Sequence, residues 1–382
     1  MSLSPQASVT VDARDAEMMA RAIQLAKKGR FTTSPNPNVG CVITNSKGHI
    51  VGEGFHFKAG LGHAEVNALA QAKSAAQDGT AYVTLEPCSH FGRTPPCANA
   101  LIEAGVKRVV VAMQDPNPKV AGKGFKLLQD AGIEVQCGVL ASQAIQLNKG
   151  FVSRFEKQRP YVTVKLAMSL DGRIALKNGI SQWITGPQAR QDVQRHRAEA
   201  CAILTGSGTV LSDDPSLNVR YQELGYAQSL INDTELRQPA RIIIDSKNQL
   251  PDTRKLYHLP GSVTVFNTRH NPNLPGNITQ WQTELDGGKI NLAVALSLLA
   301  EQQYNHIWVE AGARLAGALL AKQLVDELIV YVAPKLLGHE GRELVYLQDI
   351  VAMEQCQELR WQQQMQVGND LKLVAVPIYK PQ

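Results

Sequence analysis

Apolar positions follow two alternating rhythms along the first part of the chain. In "DAEMMARAIQLAKKG", Met19, Ile23 and Ala26 fall at helical spacing, and Gly29 stands where a helix C-terminus is expected. "VGCVITN" and "HIVGEGFH" predict strands around a turn at 46–48. "HAEVNALAQAKSAA" then predicts a helix, "TAYVTLEP" a strand, "CANALIEAG" a short helix and "VKRVVVAMQ" a strand. A helix over "GKGFKLLQDAG" and a strand over "IEVQCGVL" complete the series. Helices interleaved with short apolar strands imply an α/β layer fold with a mixed or largely parallel sheet.

From 141 to 160 the sequence "ASQAIQLNKGFVSRFEKQRP" turns polar and basic and ends on Pro160. The pattern then restarts with strands "YVTVKLAMS", "CAILTG", "ARIIIDS", "HIWVEAG" and "ELIVYVAPKLL". Helices "PQARQDVQRHRAEA", "NLAVALSLLAEQQ" and "ARLAGALLAKQ" fall among them. Two α/β domains are therefore expected, 1–148 and 161–382, with a linker at 149–160. The 382 residues exceed what one ordinary core accommodates. Residues 221–238 have weak periodicity and read as an excursion.

Composition narrows the class of function. With 44% hydrophobic and 19% charged residues the chain is globular, and its net charge of +5 is scattered, not clustered. That balance suits an enzyme of anionic small molecules better than a nucleic-acid binder. The start of the chain lacks a signal-peptide pattern, and no apolar run approaches the roughly 18 residues of a membrane span. Six dispersed cysteines do not form a disulfide framework, so a cytoplasmic protein with reduced thiols is expected, with neither nucleic-acid nor membrane partners.

Those thiols have a more specific use. "GHAEVNALA" places His63 and Glu65 at a helix start, and "PCSHFGRTPPC" supplies Cys88 and Cys97, the second opening another helix. One imidazole and two thiolates suit a tetrahedral Zn²⁺ whose fourth position stays open, the mark of a catalytic site. Such an ion acidifies a bound water, and helix N-termini at His63 and Cys97 favour the thiolates. In the first turn of its helix Glu65 can face that water and act as proton shuttle. H-x-E followed by P-C matches the zinc deaminase signature, except that eight residues, not two, separate the cysteines.

"SPNPNVGCVI", "GFHFKAGLGHAE", "TLEPCSHFGRTPPC" and "DPNPKVAGKG" together closely resemble the deaminase half of the RibD family of bifunctional riboflavin biosynthesis proteins. The resemblance spans nearly the whole chain. It implies a cytidine-deaminase-like αβα domain followed by a dihydrofolate-reductase-like α/β domain. By position it implies that Asn36 hydrogen-bonds the pyrimidine or ribose, that His56 and His90 line the pocket, and that Arg93 or Lys123 meets the substrate phosphate. Plainer roles remain open: Asn36 shaping an Asn-Pro turn, His56 capping a strand end, and His90 with Arg93 bracing the loop.

In the second half, "TGSGTVLSDDP" lacks the third glycine of a dinucleotide fingerprint, and "VEAGARLAGALL" has the strand–turn–helix shape that binds phosphate oxygens. With "KLAMSLDGRIA" and "SQWITG" these segments look like the family's NADPH-dependent reductase. The implied cofactor contacts are Ala167, Trp183, Thr209, Asp213, Ser246 and the turn Gly312, Ala313, Arg314, Leu315, Ala316 and Gly317. The implied ribosyl-phosphate contacts are Ser181, Arg197, Leu217, Arg220 and Glu310. Arg197 and Arg220 read as a phosphate clamp. Lys165 reads either as the group that polarises the sugar C1 or as a salt-bridge lysine on a half-buried strand.

The expected activity is zinc-dependent deamination of a diaminopyrimidinone ribosylamine 5′-phosphate, then NADPH-dependent reduction of the ribosyl group of the uracil product to ribityl. The family also implies a homo-oligomer. Two other readings stay open: a tRNA-type adenosine deaminase with an accessory domain, and a non-catalytic module in which zinc staples the loop.

Overall fold

Residue by residue, the strands of the first unit send alternate side chains to opposite faces. Cys41, Ile43, Ala81, Val83, Val109 and Val111 enter one buried cluster, while Val42, Tyr82 and Val110 enter another. The computed structural model describes residues 12–89 and 96–380. It divides into two units, Met1–Glu156 and Lys157–Gln382.

The first unit contains α1 (Ala13–Ala26), β1 (Gly40–Thr44), β2 (Ile50–Phe55), α2 (Ala64–Ala72), β3 (Thr80–Val83), α3 (Cys97–Glu103), β4 (Arg108–Val111), α4 (Lys123–Asp130), β5 (Glu134–Cys137), α5 (Ala141–Leu147) and α6 (Lys149–Glu156). The sheet order is β2-β1-β3-β4-β5. β1 is antiparallel to both β2 and β3, and β3, β4 and β5 run parallel. Residues of α2, α3 and α4 fill one side of the sheet and those of α1, α5 and α6 the other, giving an αβα sandwich.

The proposed linker at 149–160 departs from this arrangement. Its polar composition hides α6, whose Phe151 and Val152 are buried in the first core, so only 157–160 lies between the last helix and the next strand. Lys157 and Arg159 both pair with the buried carboxylate of Asp326, which anchors that short stretch in the second unit.

The second unit comprises β6 (Tyr161–Ser169), β7 (Arg173–Ala175), α7 (Pro187–Glu199), β8 (Ala202–Gly206), α8 (Ser207–Asp213), β9 (Ala240–Asp245), β10 (Val263–Asn267), β11 (Thr279–Gln282), β12 (Leu285–Asp286), β13 (Lys289–Ile290), α9 (Leu292–Glu301), β14 (His306–Glu310), α10 (Ala313–Ala321), β15 (Glu327–Ala333), β16 (Arg342–Glu343), β17 (Glu358–Val367) and β18 (Asp370–Ile378). Nine strands form one sheet in the order β11-β10-β9-β8-β14-β6-β15-β18-β17. It is parallel from β11 to β15, and β18 and β17 close it antiparallel. The excursion 221–238 contains three short 3₁₀ turns.

Alternation decides which face of the sheet each side chain takes here. Val162, Val164, Leu166, Ile307 and Val309 bury against α9 and α10. Lys165, Ala167, Trp308 and Glu310, at the intervening positions, take the face shared with α7. In α/β sheets ligands bind at the carboxyl ends of strands where the strand order reverses, which here is around β8, β14 and β6.

Candidate active sites

His63 is the N-cap of α2 and Cys97 is the first residue of α3, so two helix starts converge on one point. His63 Nδ1 lies 3.3 Å from Cys97 Sγ and 3.6 Å from Cys88 Sγ. All three ligand atoms fall within 4.8 Å of one another. Tetrahedral zinc with bonds of about 2.0–2.3 Å needs ligand atoms about 3.5–3.8 Å apart, so the donor set fits the ion closely.

The electrostatics agree. The Cys97 thiol donates to Cys88, and with His63 and the Cys97 backbone N–H (3.3 Å) it holds the Cys88 thiol down at about 4. Cys97, beside that thiolate and buried, is pushed up. A divalent cation at the centre stabilises both thiolates at once. Glu65 is 3% exposed and bonds the Cys97 thiol. Burial, aided by the nearby Cys88 charge, raises its carboxyl to about 7 before any metal charge acts, which is the range for a group that both takes and gives protons.

Asn36 and His56 are brought together: Asn36 Nδ2 lies 3.0 Å from His56 Nε2. His56 stacks edge-on against His63 with ring centroids 5.2 Å apart. Lys123 opens α4, and His90 and Arg93 lie outside the described residues.

Two residues without a sequence signal organise this site. The buried Glu86 carboxylate accepts from the N–H groups of Asp115 (3.2 Å), Gly122 (3.0 Å) and Gly124 (2.9 Å). It thereby ties the Cys88 segment to the loop before α4. Asn148 accepts from Asn38 N at 2.7 Å and donates to Asn38 O at 2.9 Å, which fixes the Asn36 loop. Both contacts are remote in sequence, and no spacing announces them.

In the second unit, Glu310 stands at the end of β14 in register with Lys165 on β6. Arg197 grips both carboxylate oxygens at 2.6 and 2.8 Å, and the Trp308 indole N–H donates to one of them at 2.8 Å. Burial would raise the Glu310 carboxyl, but Arg197 and Lys165 together bring it down to about 2. Lys165 makes no ion pair or hydrogen bond with a described residue. Burial lowers its ammonium below the usual range, Glu310 partly restoring it. Spacing had also missed the support behind Trp308. His196 stacks on its ring at 4.7 Å, and Lys372 bonds both His196 (2.8 Å) and Asp192 (2.7 Å).

Arg197 and Arg220, read from the sequence as a phosphate clamp, each hold a carboxylate in this structure. The Arg197 fork is committed to Glu310 and the Asn218 carbonyl (2.9 Å), and Arg220 pairs with Glu223 at 2.6 and 2.7 Å. The Leu217 side chain is 2% exposed and packs in the α7-side core, so only its backbone can meet a ligand.

Ala167 shares the Lys165 face of β6. Trp183 is exposed, with Arg190 4.5 Å above its ring, and Ser181 lies two residues before it. Thr209 and Asp213 lie on α8, and Ser246 accepts from Ile290 N at 3.0 Å. The α10 turn divides in two. Gly312, the helix N-cap, has open space around it, and Ala313, Arg314 and Leu315 are at least partly exposed. Ala316 and Gly317 are buried, and a Cβ on Gly317 would lie 1.9 Å from the Tyr346 carbonyl, so that glycine serves helix packing. The exposed N–H groups at the start of α10 fit a cofactor phosphate.

Comparison with known proteins follows the same division. Residues 12–113 match the cytidine and deoxycytidylate deaminase zinc-binding region, and residues 160–373 match the RibD C-terminal domain. The riboflavin biosynthesis protein RibD of Escherichia coli (strain K12) is 52% identical over 362 residues, covering 94% of this chain and 98% of that one. The solved structure of Acinetobacter baumannii RibD superposes with a TM-score of 0.88 at 45% identity, covering 96% of this chain and 99% of that one. A Thermotoga maritima diaminohydroxyphosphoribosylaminopyrimidine deaminase/5-amino-6-(5-phosphoribosylamino)uracil reductase superposes with a TM-score of 0.84 at 32% identity, over 96% and 99%. The αβα unit is thus deaminase-like and the nine-stranded unit is a RibD-type reductase, and the chain belongs to the RibD family of bifunctional deaminase–reductases of riboflavin biosynthesis.

Proposed function

We propose that the first unit deaminates a diaminopyrimidinone carrying ribosylamine 5′-phosphate, and that the second reduces the ribosyl group of the uracil product to ribityl with NADPH. The convergence of His63, Cys88 and Cys97 beside the buried Glu65 carries the first half of this reading.

His63, Cys88 and Cys97 would hold Zn²⁺, which when bound supplies Lewis acidity to a water. Glu65 would take one proton from the water and pass it to the ring nitrogen, then carry the second from the same oxygen to the amino group, which leaves as ammonia. Asn36 receives a ring N–H and sets the pyrimidine's orientation. The carboxyl near 7 suits Glu65 to both transfers.

For the reduction, NADPH supplies the hydride. Lys165 points from the middle of β6 into the α7-side face and polarises the opened sugar toward acceptance. Glu310, clamped by Arg197 and Trp308, keeps a negative charge opposite Lys165 and favours its ammonium form. The start of α10 and Ser246 would meet the cofactor's phosphates and ribose. A homo-oligomer is the assembly expected from the family.

Separate disabling of the halves tests the reading. Glu65→Gln should accumulate unreacted diaminopyrimidinone, and Lys165→Met should accumulate the deaminated, unreduced uracil. Loss of both activities in either correctly folded variant would contradict the assignment. A tRNA-type deaminase would instead bind tRNA with a steep salt dependence and would make no use of the reductase unit.

A further inference from the structure

The carboxyl ends of β8, β9 and β10 lie side by side, with Gly206 paired to Ile244 and Asp245 paired to Asn267. The loops that leave these ends are stitched into one platform. Asp245 is fully buried, and its carboxylate accepts from Gln249 N (2.9 Å) and Leu250 N (3.0 Å), which closes the turn that presents Ser246 and Lys247. Gln249 Nε2 reaches back to Ser207 at the start of α8 at 3.2 Å.

The loop after β10 is joined to the same platform. The buried Asn271 donates from Nδ2 to Leu250 O at 3.0 Å. Its backbone N–H and the side chain of the buried Asn267 both bond Gln280 Oε1, at 2.8 and 2.7 Å. These braces fix the backbones on either side of Lys247 and Arg269.

The cations on this platform are left unused. Lys247 and Arg269 are exposed, and neither makes a hydrogen bond or ion pair with any described residue. His270, next to Arg269, is likewise exposed and without such a partner. The Asp245 carboxylate is turned inward onto backbone amides, and Asp286 on the neighbouring hairpin is paired with Lys322 at 2.5 Å. A braced backbone with unpaired cations at the carboxyl edge of a parallel sheet is suited to a phosphomonoester dianion, for which a guanidinium fork and an ammonium are complementary donors.

We propose that Lys247 and Arg269 bind the 2′-phosphate of the cofactor's adenosine ribose and so select NADPH over NADH. This rests on the NADPH reading above, and it adds the residues that discriminate between the two cofactors. Ser246, the residue before Lys247, accepts from Ile290 N at 3.0 Å on the neighbouring strand, so the ribose that carries the phosphate would lie against this part of the turn.

The test uses the full chain, with Lys247→Ala, Arg269→Ala and the double variant. Calorimetry with 2′,5′-ADP and with 5′-ADP reads the contact without turnover. Removing a charge-assisted phosphate contact weakens binding roughly 10- to 100-fold. The expected result is that loss for 2′,5′-ADP in each single variant, a larger one in the double variant, and no change for 5′-ADP. In turnover the KM for NADPH should rise while those for NADH and the uracil substrate stay in place. Unchanged affinity for 2′,5′-ADP overturns the proposal. So does a rise in the KM for the uracil substrate with either cofactor, which would assign the platform to the substrate's 5′-phosphate. A wild-type chain that oxidises NADH as readily as NADPH would refute the NADPH reading itself, an outcome separate from any effect of the variants.

Discussion

Asn36 and His56 fix each other's hydrogen-bonding direction. His56 Nδ1 lies 3.2 Å from the Gly62 carbonyl, which can only accept, so Nδ1 carries the proton. Burial, the main cause, holds the ring below its usual pKa and hence neutral, which leaves Nε2 as an acceptor for Asn36 Nδ2 at 3.0 Å. In the proposed function, Asn36 Oδ1 is then the atom that receives an N–H from the pyrimidine.

Asn36→Asp sets a second acceptor against Nε2 and removes that order. Deaminase kcat/KM should fall by about 100-fold, the cost of leaving a buried polar group unpaired at the substrate, about 1–3 kcal/mol. Zinc content should stay at the wild-type level. Steady-state kinetics with metal analysis would check this, and unimpaired deamination would remove Asn36 from the pocket.

Glu65→Gln keeps the size of the side chain but cannot move a proton. A loss of about 10²–10⁴ in deamination is expected, with zinc retained and reduction of supplied uracil substrate intact. A variant that loses its zinc along with its activity would point to a structural role for Glu65.

Gly124 illustrates how the zinc loop is positioned. A Cβ there would lie 2.1 Å from the Pro87 carbonyl and 3.1 Å from the Glu86 side chain, directly before Cys88. Gly124→Ala should displace that segment and weaken zinc binding by about 10-fold or more, the scale seen for disturbed outer-shell contacts. Competition with a chromogenic chelator measures it. Affinity equal to wild type would show that the 86–88 segment adjusts freely.

The sequence shows the strands of both units because alternation and short apolar runs are local properties, and β6 was marked by "YVTVKLAMS" alone. The zinc ligands were equally legible, since His, Glu and two Cys in a fixed order have few other uses. The β17–β18 hairpin was missed. "ELRWQQQMQV" is exposed along almost its whole length and has little apolar signal. The α6 helix was read as linker because its charged residues outweigh the buried Phe151 and Val152. The pairing of Arg197 with Glu310 was not legible for a related reason. The residue type of Arg197 suits a phosphate, but its partner Glu310 stands 113 positions away, where no local pattern can find it.

Glu310 sets the charge balance around Lys165. Its carboxylate raises the Lys165 pKa against the larger opposing effect of burial. Glu310→Gln removes that support, so the lysine deprotonates at lower pH and the alkaline limb of the reductase profile should move down. The variant also leaves Arg197 with an uncompensated buried charge, at a cost of about 3 kcal/mol to the second unit. A pH–rate profile and a thermal melt read the two effects. An unmoved alkaline limb would mean that Lys165 does not act as an acid in this step.

The central claim, two sequential activities in one chain, is tested most directly by mass spectrometry of the product. The zinc-loaded protein would be incubated with diaminopyrimidinone ribosylamine 5′-phosphate, with and without NADPH. The account predicts exchange of one amino group for oxygen in both samples, and two added hydrogens only with NADPH. An unchanged substrate in both samples would contradict it.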